Sequence, residues 1–210
     1  MSFVAACVAR AADEFGSWHT LSLGVLENER WKLTALGQVR FRDHSSQLFA
    51  YVLSPQVEFK ASPYLRVGLN YTYLPAKPPG RSRFLDQKRW EFELNPRWPV
   101  SEQLTLDLRN RYELRWIEGR AGINERSRHR PQATFRLRHA GPLESVFAHH
   151  EIFYDYVLHR RTETRLVPAG FNFRLSPRAG FLSYYLIRSV LAAREWTHSQ
   201  VIGTQFSIKL

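Results

Sequence analysis

The chain has 210 residues, of which 44% are hydrophobic and 14% aromatic, and its formal net charge is +11. This length allows one substantial domain, and the presence of a single cysteine excludes a disulfide framework. No run approaches the roughly 18 uncharged apolar residues of a membrane-spanning helix, which excludes that class of membrane protein. Basic residues are spread along the chain among Glu and Asp, which favours a polar interior and argues against a nucleic-acid partner.

The N-terminal segment resembles the end of a secretory signal. Residues 3–9 are mostly apolar, and Ala9-Arg10-Ala11 has the small-x-small form of a signal-peptidase site. A basic leading region is missing, so we expect residues 1–11 to be a truncated signal peptide. A frayed apolar terminus is the alternative. Residues 12–210 are predicted to form one β-barrel domain.

Alternating apolar and polar residues fill most of the remaining chain. From Trp31 to Arg42, odd-numbered positions are apolar and even-numbered positions are polar, with Leu36 as the only exception. Successive side chains of a strand point to opposite faces, so this segment is predicted to be a strand with one apolar and one charged face. Similar patterns predict eleven strands at about 15–25, 30–42, 47–60, 64–74, 84–96, 103–117, 124–138, 145–156, 163–175, 179–190 and 196–209.

The connections between these strands alternate in kind. Tight turns containing proline, such as Pro96–Pro99, follow the third, fifth, seventh and ninth strands, and longer basic links, such as Lys77–Arg81, follow the fourth, sixth and eighth. Aromatic residues near segment ends indicate interfacial girdles: Trp18, Trp31, Tyr64, Tyr73, Trp90, Trp116, Tyr156 and Trp196. Most strands also exceed the usual length of about 5–6 residues in globular proteins.

These features predict an all-β fold, a single antiparallel up-and-down transmembrane β-barrel of 10–12 strands. Short turns containing proline would lie in the periplasm and longer basic loops outside. The count of eleven conflicts with the even strand number of bacterial barrels, and it remains open at this point. A soluble β-barrel that binds a ligand, with its apolar face inward, is the alternative architecture.

Several short motifs resemble a known family. The segments Glu151–Asp155, Arg165–Gly170 and Tyr184-Tyr185, together with Glu14–Trp18, are similar to the uncharacterised family catalogued as domain of unknown function 2490. Its members are similar to outer-membrane β-barrels of Gram-negative bacteria, and the resemblance implies this location but no particular activity. The last strand alternates up to Leu210, which resembles the signal read by the barrel-assembly machinery, an expected partner during biogenesis.

The charged faces of neighbouring strands provide the candidate site. If consecutive strands pair, opposite charges form ladders across the barrel interior. The residues are Glu91, Glu93, Arg109, Arg111, Glu113, Arg115, Arg126, Arg128, Arg130, His149 and Glu151. These ions either fill a narrow barrel and neutralise one another, or they bind a small polar or anionic ligand. We expect a filled interior and no open porin channel.

The segment His149-His150-Glu151 has the residue types of a metal or acid–base cluster. In a strand, however, His149 and Glu151 share a face and His150 points the other way. No second convergent set of ligands is visible, so we predict neither a metal nor another cofactor. His150 on the apolar face does not fit the barrel pattern.

An enzyme that modifies lipid A or hydrolyses phospholipid is the alternative function. It would need a Ser–His pair at the lipid-facing rim, built from Ser183, Ser199 or Ser207 and from His149 or His198. No serine has the nucleophile-elbow setting, and we predict no catalytic residue. The basic loops are expected to contact outer-membrane lipids and lipopolysaccharide through Arg81, Arg83, Arg120, Arg160 and Arg161, since Arg pairs well with phosphate.

Overall fold

The computed structural model describes residues 14–78, 80–138, 141–192 and 194–210, so the predicted signal peptide lies outside the described residues. Within them no helix is long and apolar enough to cross a membrane. The elements are β1 (Glu14–Glu27), β2 (Trp31–Arg42), β3 (Gln47–Ser62), β4 (Leu65–Tyr73), β5 (Gln87–Pro99), β6 (Leu104–Ile117), β7 (Asn124–Arg136), β8 (Leu143–Asp155), β9 (Arg160–Arg174), β10 (Ala179–Ala192) and β11 (Glu195–Lys209).

The strands form one closed barrel in which each strand pairs with the next one along the chain. All of these neighbouring pairs are antiparallel, and β1 closes the barrel against β11 in a parallel ladder that runs from Glu14–Ser199 to Gly24–Lys209. The all-β barrel prediction is therefore confirmed, with eleven strands. The expectation of a wholly antiparallel barrel is wrong at this closing pair, because an odd number of alternating strands makes the first and last run in the same direction.

The two ends of the barrel carry different sets of connections. We name the end with the connections after β1, β3, β5, β7 and β9 the turn rim, and the opposite end the loop rim. Leu74 and Pro75, which follow β4 at the loop rim, are buried, and the Pro75 carbonyl accepts a hydrogen bond from the Tyr51 amide at 3.2 Å. The chain after β4 thus continues to pair with β3 at the loop rim.

Two predicted connections belong to strands instead. Pro96–Pro99 lies inside β5, where pairing with β6 continues on either side of Pro96, from Leu94–Asn110 to Arg97–Asp107. Proline lacks only its own N–H, so one such residue interrupts the ladder locally without ending the strand. Arg160 and Arg161, which were predicted to lie in a basic loop, likewise belong to β9 and form its first two residues at the loop rim.

The barrel has charged side chains on its inner face and many large apolar side chains on its outer face. Glu91 and Glu113 point inward and are buried, with 1% and 0% of their surface exposed, whereas Leu69, Phe92 and Ile202 point outward and are 41%, 48% and 41% exposed. Acidic side chains are almost never fully buried unless they are paired, and monomeric soluble proteins rarely expose large contiguous apolar patches. The strand alternation in the sequence separates these two sets of residues onto opposite faces.

An apolar cluster occupies part of the interior, which the sequence pattern did not predict. It consists of Trp18, Phe147, Val167, Leu186 and Val201. Trp18 was expected in an outer girdle but lies on the inner face of β1, because its even position shares the side of Thr20.

Glycines on neighbouring strands make room for large rings beside this cluster. The ring of Phe147 covers Gly170, and the ring of Tyr184 covers Gly203, in each case occupying the space that a Cβ atom would need.

Candidate functional site in the barrel interior

Glu113 is the centre of the first ion cluster. Its Oε2 lies 2.6 Å from Arg126 Nη2, and its Oε1 lies 2.9 Å from Arg128 Nη1 and 3.9 Å from Arg89 Nη1. Glu113 and Arg126 are direct cross-strand partners, as the predicted charge ladder requires. Because Glu113 is fully buried, these three guanidinium groups replace the water that would otherwise solvate its charge.

Glu151 of β8 is the centre of the second cluster, two strands further along the barrel from Glu113 of β6. Its Oε1 lies 2.6 Å from Arg109 Nη2 and 2.9 Å from Arg128 Nη2, and its Oε2 lies 3.9 Å from Arg165 Nη1. Arg128 therefore bridges the two carboxylates. The two clusters form one continuous network across β5 to β9.

Arg111 extends this network towards β4 and β5. Its Nη1 lies 2.6 Å from Glu91 Oε2, and it also forms an ion pair with Glu93. The amide of Asn70 donates to Glu93 at 3.2 Å and that of Asn95 donates at 2.8 Å. The carboxylates of β5 thus have both ionic and neutral partners.

Phe153 lies beneath this network and was missed by sequence reasoning. It is fully buried, and the guanidinium carbons of Arg126, Arg128 and Arg165 lie 4.8, 4.7 and 4.7 Å from its ring centre. Cations are attracted to the face of an aromatic ring, so Phe153 supports three arginines that repel one another. Its odd position in β8, shared with Glu151, is the signal that places it inside.

Further ion pairs close the interior near the loop rim. Arg115 Nη2 lies 2.7 Å from Asp155 Oδ2, and Arg188 Nε lies 2.7 Å from Glu163 Oε1. Asp155, Glu163, Arg165 and Arg188 were not among the predicted site residues, because the predicted ladders took their charges only from β5, β6 and β7 and from His149 and Glu151 of β8. They complete the same network in the folded barrel.

All eleven predicted site residues lie on inner faces of the strands, but two of them remain outside the ion pairs. Arg130 Nε and His149 Nδ1 are buried and have no hydrogen-bond partner among the described residues. His149 stacks on Phe147, with ring centres 5.9 Å apart and planes 6° apart. His150 faces outward as predicted, opposite Leu166 of β9.

A cavity of about 580 Å³ occupies the interior on the turn-rim side. Lys32, Glu58 and Arg66 line its outer part, and Arg89, Arg128 and Arg165 of the ion network are among its innermost residues. The pairs Arg115–Asp155 and Arg188–Glu163 pack between this cavity and the loop rim. Such a cavity can admit a small polar molecule from the turn rim.

The described residues contain no group of three or more His, Cys, Asp or Glu that could hold a metal ion. The serines proposed for an enzyme also lack the required partner: Ser183 points outward, and Ser199 and Ser207 lie on the inner face of β11. His198 instead shares a hydrogen bond of 2.8 Å, through Nδ1, with Ser189 Oγ on the outer face of β10.

Two arginines at the loop rim have aromatic or acidic partners. Arg83 Nη2 lies 2.6 Å from Glu118 Oε1, and Arg161 lies over the ring of Trp196 at 5.6 Å. The Asp86 amide donates to Glu118 at 3.0 Å, and together with Arg83 it lowers the pKa of that carboxyl below its ordinary value. This rim therefore contains ordered charged groups.

Comparison with known families assigns the chain to one family. The family described as "Protein of unknown function (DUF2490)" matches residues 15–198, and the chain belongs to it. No curated protein and no solved structure gives a significant match. The resemblance seen in the sequence motifs is thus confirmed at the level of the family, which defines no activity.

Proposed function

We propose that the protein is an outer-membrane β-barrel of Gram-negative bacteria whose interior is a blocked polar pocket. The observation that carries this proposal is the exposure of large hydrophobic side chains on the outer face together with buried Arg–Glu clusters inside. In hydrocarbon every backbone polar group needs a partner within the protein, and a closed barrel provides it. A soluble barrel with this outer face would expose an apolar surface large enough to cause aggregation.

The interior supports a pocket and not a diffusion channel. Glu113 and Glu151 hold arginines from several strands across the lumen, and Phe153 fills the space behind them. Barrels of this size have an interior that side chains can fill or that holds one small ligand. We therefore assign the pocket to the handling of a small polar or anionic molecule that enters from the turn rim.

The orientation follows from the two rims. We place the short turns in the periplasm and the loop rim outside, because this is the usual arrangement of outer-membrane barrels. Arg81, Arg83, Arg120, Arg160 and Arg161 would then lie near the phosphate groups of lipopolysaccharide, which Arg binds through charge-assisted hydrogen bonds.

Membrane fractionation and electrophoresis test this proposal. The protein should remain with outer membranes after a carbonate wash, and unheated samples in detergent should migrate differently from boiled ones because a closed barrel resists unfolding. In planar bilayers it should show no stable ion conductance. Recovery in the soluble fraction without heat modification would refute the membrane assignment, and steady conductance would refute the blocked interior.

A lipid-modifying enzyme is the second candidate, favoured by the Ser189–His198 contact of 2.8 Å on the outer face. A nucleophilic serine beside a histidine is one requirement of acyl hydrolysis. However, Ser189 lies within a ladder paired on both sides, with Thr164 and His198, so its backbone does not form an oxyanion hole. Purified barrel should leave phospholipid in mixed micelles intact, and hydrolysis that is lost in Ser189→Ala would establish the enzyme instead.

A further inference from the structure

The cavity wall contains more positive charge than its acids neutralise. Arg109, Arg111, Arg128 and Arg165 each form an ion pair with an interior glutamate. Among the described arginines that line the cavity, only Arg40 and Arg130 form no ion pair. Arg40 lies over Trp18 at 4.3 Å and donates from Nε to the side chain of Gln38 at 2.6 Å.

Arg130 is the more unusual of the two. It stands directly opposite Arg109 in the β6–β7 ladder, and the Nε atoms of both side chains are buried without a hydrogen-bond partner. Like charges directly opposite each other in a sheet are destabilising. Glu151, on the neighbouring strand β8, accepts hydrogen bonds from Arg109 and Arg128 and forms no ion pair with Arg130.

His149 adds a third unsatisfied nitrogen on the next strand. It pairs with Gln132, two residues beyond Arg130 on β7, and its Nδ1 is buried without a partner. Arg109, Arg130 and His149 all line the same cavity. Buried polar groups are nearly always satisfied in native proteins, so the two buried guanidinium Nε–H groups at this wall call for a hydrogen-bond acceptor. His149 donates to the same acceptor in the tautomer that carries its proton on Nδ1.

The opposite part of the wall carries neutral polar groups beside its charged ones. Hydroxyl and amide side chains of β1 to β4 line the cavity there: Thr20, Gln38, Ser54, Gln56, Asn70 and Thr72. Such groups donate and accept hydrogen bonds and suit a ligand that carries several hydroxyl groups.

We propose that this cavity binds a small, soluble, hydroxyl-rich oxyanion, with its phosphate or carboxylate group held by Arg130, Arg109 and His149. The inference rests on the proposed function, since it requires the barrel interior to be a pocket open at the turn rim. The guanidinium groups supply charge-assisted hydrogen bonds to the oxyanion, and the β1–β4 wall binds the hydroxyl groups. Occupation of the site removes the repulsion between Arg109 and Arg130.

Calorimetry on the barrel refolded in phosphatidylcholine nanodiscs tests this proposal. The probes are glucose 6-phosphate, inorganic phosphate and glucose, with phosphatidic acid in separate nanodiscs as the lipid source of the same group. We expect glucose 6-phosphate to bind more tightly than phosphate, and glucose to bind weakly. Arg130→Gln should weaken the binding of glucose 6-phosphate by about tenfold or more, the value expected for one lost charge-assisted contact.

Arg83→Gln is the matched control, because it removes the same charge at the loop rim, outside the cavity. It should leave the binding of glucose 6-phosphate unchanged. Arg130→Gln should also fold at least as well as the parent protein, since it removes a repulsive pair, and only the parent should gain thermal stability from glucose 6-phosphate.

The outcomes separate this inference from the proposed function. The proposed ligand site would be overturned if the barrel shows heat modification but binds none of the soluble probes. It would also be overturned if the parent protein and Arg130→Gln bind these probes equally well. Either result would leave the membrane assignment intact. Binding of phosphatidic acid alone would overturn the soluble ligand. Loss of heat modification in the parent protein would instead refute the barrel proposal itself.

Discussion

Removal of the charge on Glu113 should destabilise the barrel more than almost any other isosteric change. Glu113→Gln keeps the shape of the side chain but leaves Arg126, Arg128 and Arg89, whose nitrogens lie 2.6, 2.9 and 3.9 Å from its oxygens, without their shared anion. Removing one partner of a buried ion pair typically costs about 3–5 kcal/mol. The unfolding equilibrium should therefore shift by about two to four orders of magnitude.

Urea unfolding of the protein in phosphatidylcholine vesicles, followed by tryptophan fluorescence, measures this effect. The matched control is Glu102→Gln, which removes an acid that pairs with Arg138 but has 83% of its side chain exposed at the turn rim. Exposed ion pairs contribute little, so the control should unfold like the parent protein.

A double variant tests the cause of the loss. Glu113→Gln combined with Arg126→Gln removes one of the unbalanced cations and should be more stable than Glu113→Gln alone. If Glu113→Gln changes the free energy of unfolding by less than about 1 kcal/mol, the value typical of surface pairs, then the network does not hold the barrel together.

Two other predictions concern packing and the loop rim. Gly203→Ala should lower the free energy of unfolding by about 1–3 kcal/mol, because the ring of Tyr184 occupies the space of the new methyl group. A methyl group at Gly37 would meet nothing within 4 Å, so Gly37→Ala should be neutral in the same urea assay. Equal effects of the two substitutions would contradict this packing. Arg83→Gln should raise the pKa of Glu118 towards its ordinary value, since the Asp86 amide alone then favours the carboxylate. In the parent protein, folding lowers the pKa of Glu118. The Arg83–Glu118 pair therefore stabilises the folded state at pH values above the pKa of Glu118 in the unfolded chain, and this contribution is lost as the pH falls through the folded-state pKa. Carboxyl NMR titration measures the shift, and an unchanged pKa would show that Arg83 does not act on this group.

The alternation of residues determined the local structure. It predicted eleven strands within a few residues of their observed bounds and placed all eleven candidate site residues on one side of their strands. It did not identify apolar residues that lie on the inner face among the polar and charged ones. Trp18 and Phe153 are such cases: each is aromatic, yet each lies inward against guanidinium groups.

The partners of the charges could not be read from the sequence. Arg128 contacts Glu113 of β6 and Glu151 of β8, so its role depends on the register of three strands at once. The parallel closure of β1 on β11 brings together residues 185 positions apart, such as His19 and Thr204. The isolation of Arg130 likewise appears only once its opposite residue is known to be Arg109.

The sequence by itself determined that this chain forms long strands with one apolar and one charged face. Successive side chains of a strand point to opposite faces, so apolar and polar residues that alternate along the chain fall on different faces. Only the tertiary structure decided that eleven strands close on themselves, that the charged face points inward, and which carboxylate neutralises which arginine. These properties depend on register and curvature, which arise from contacts between distant segments.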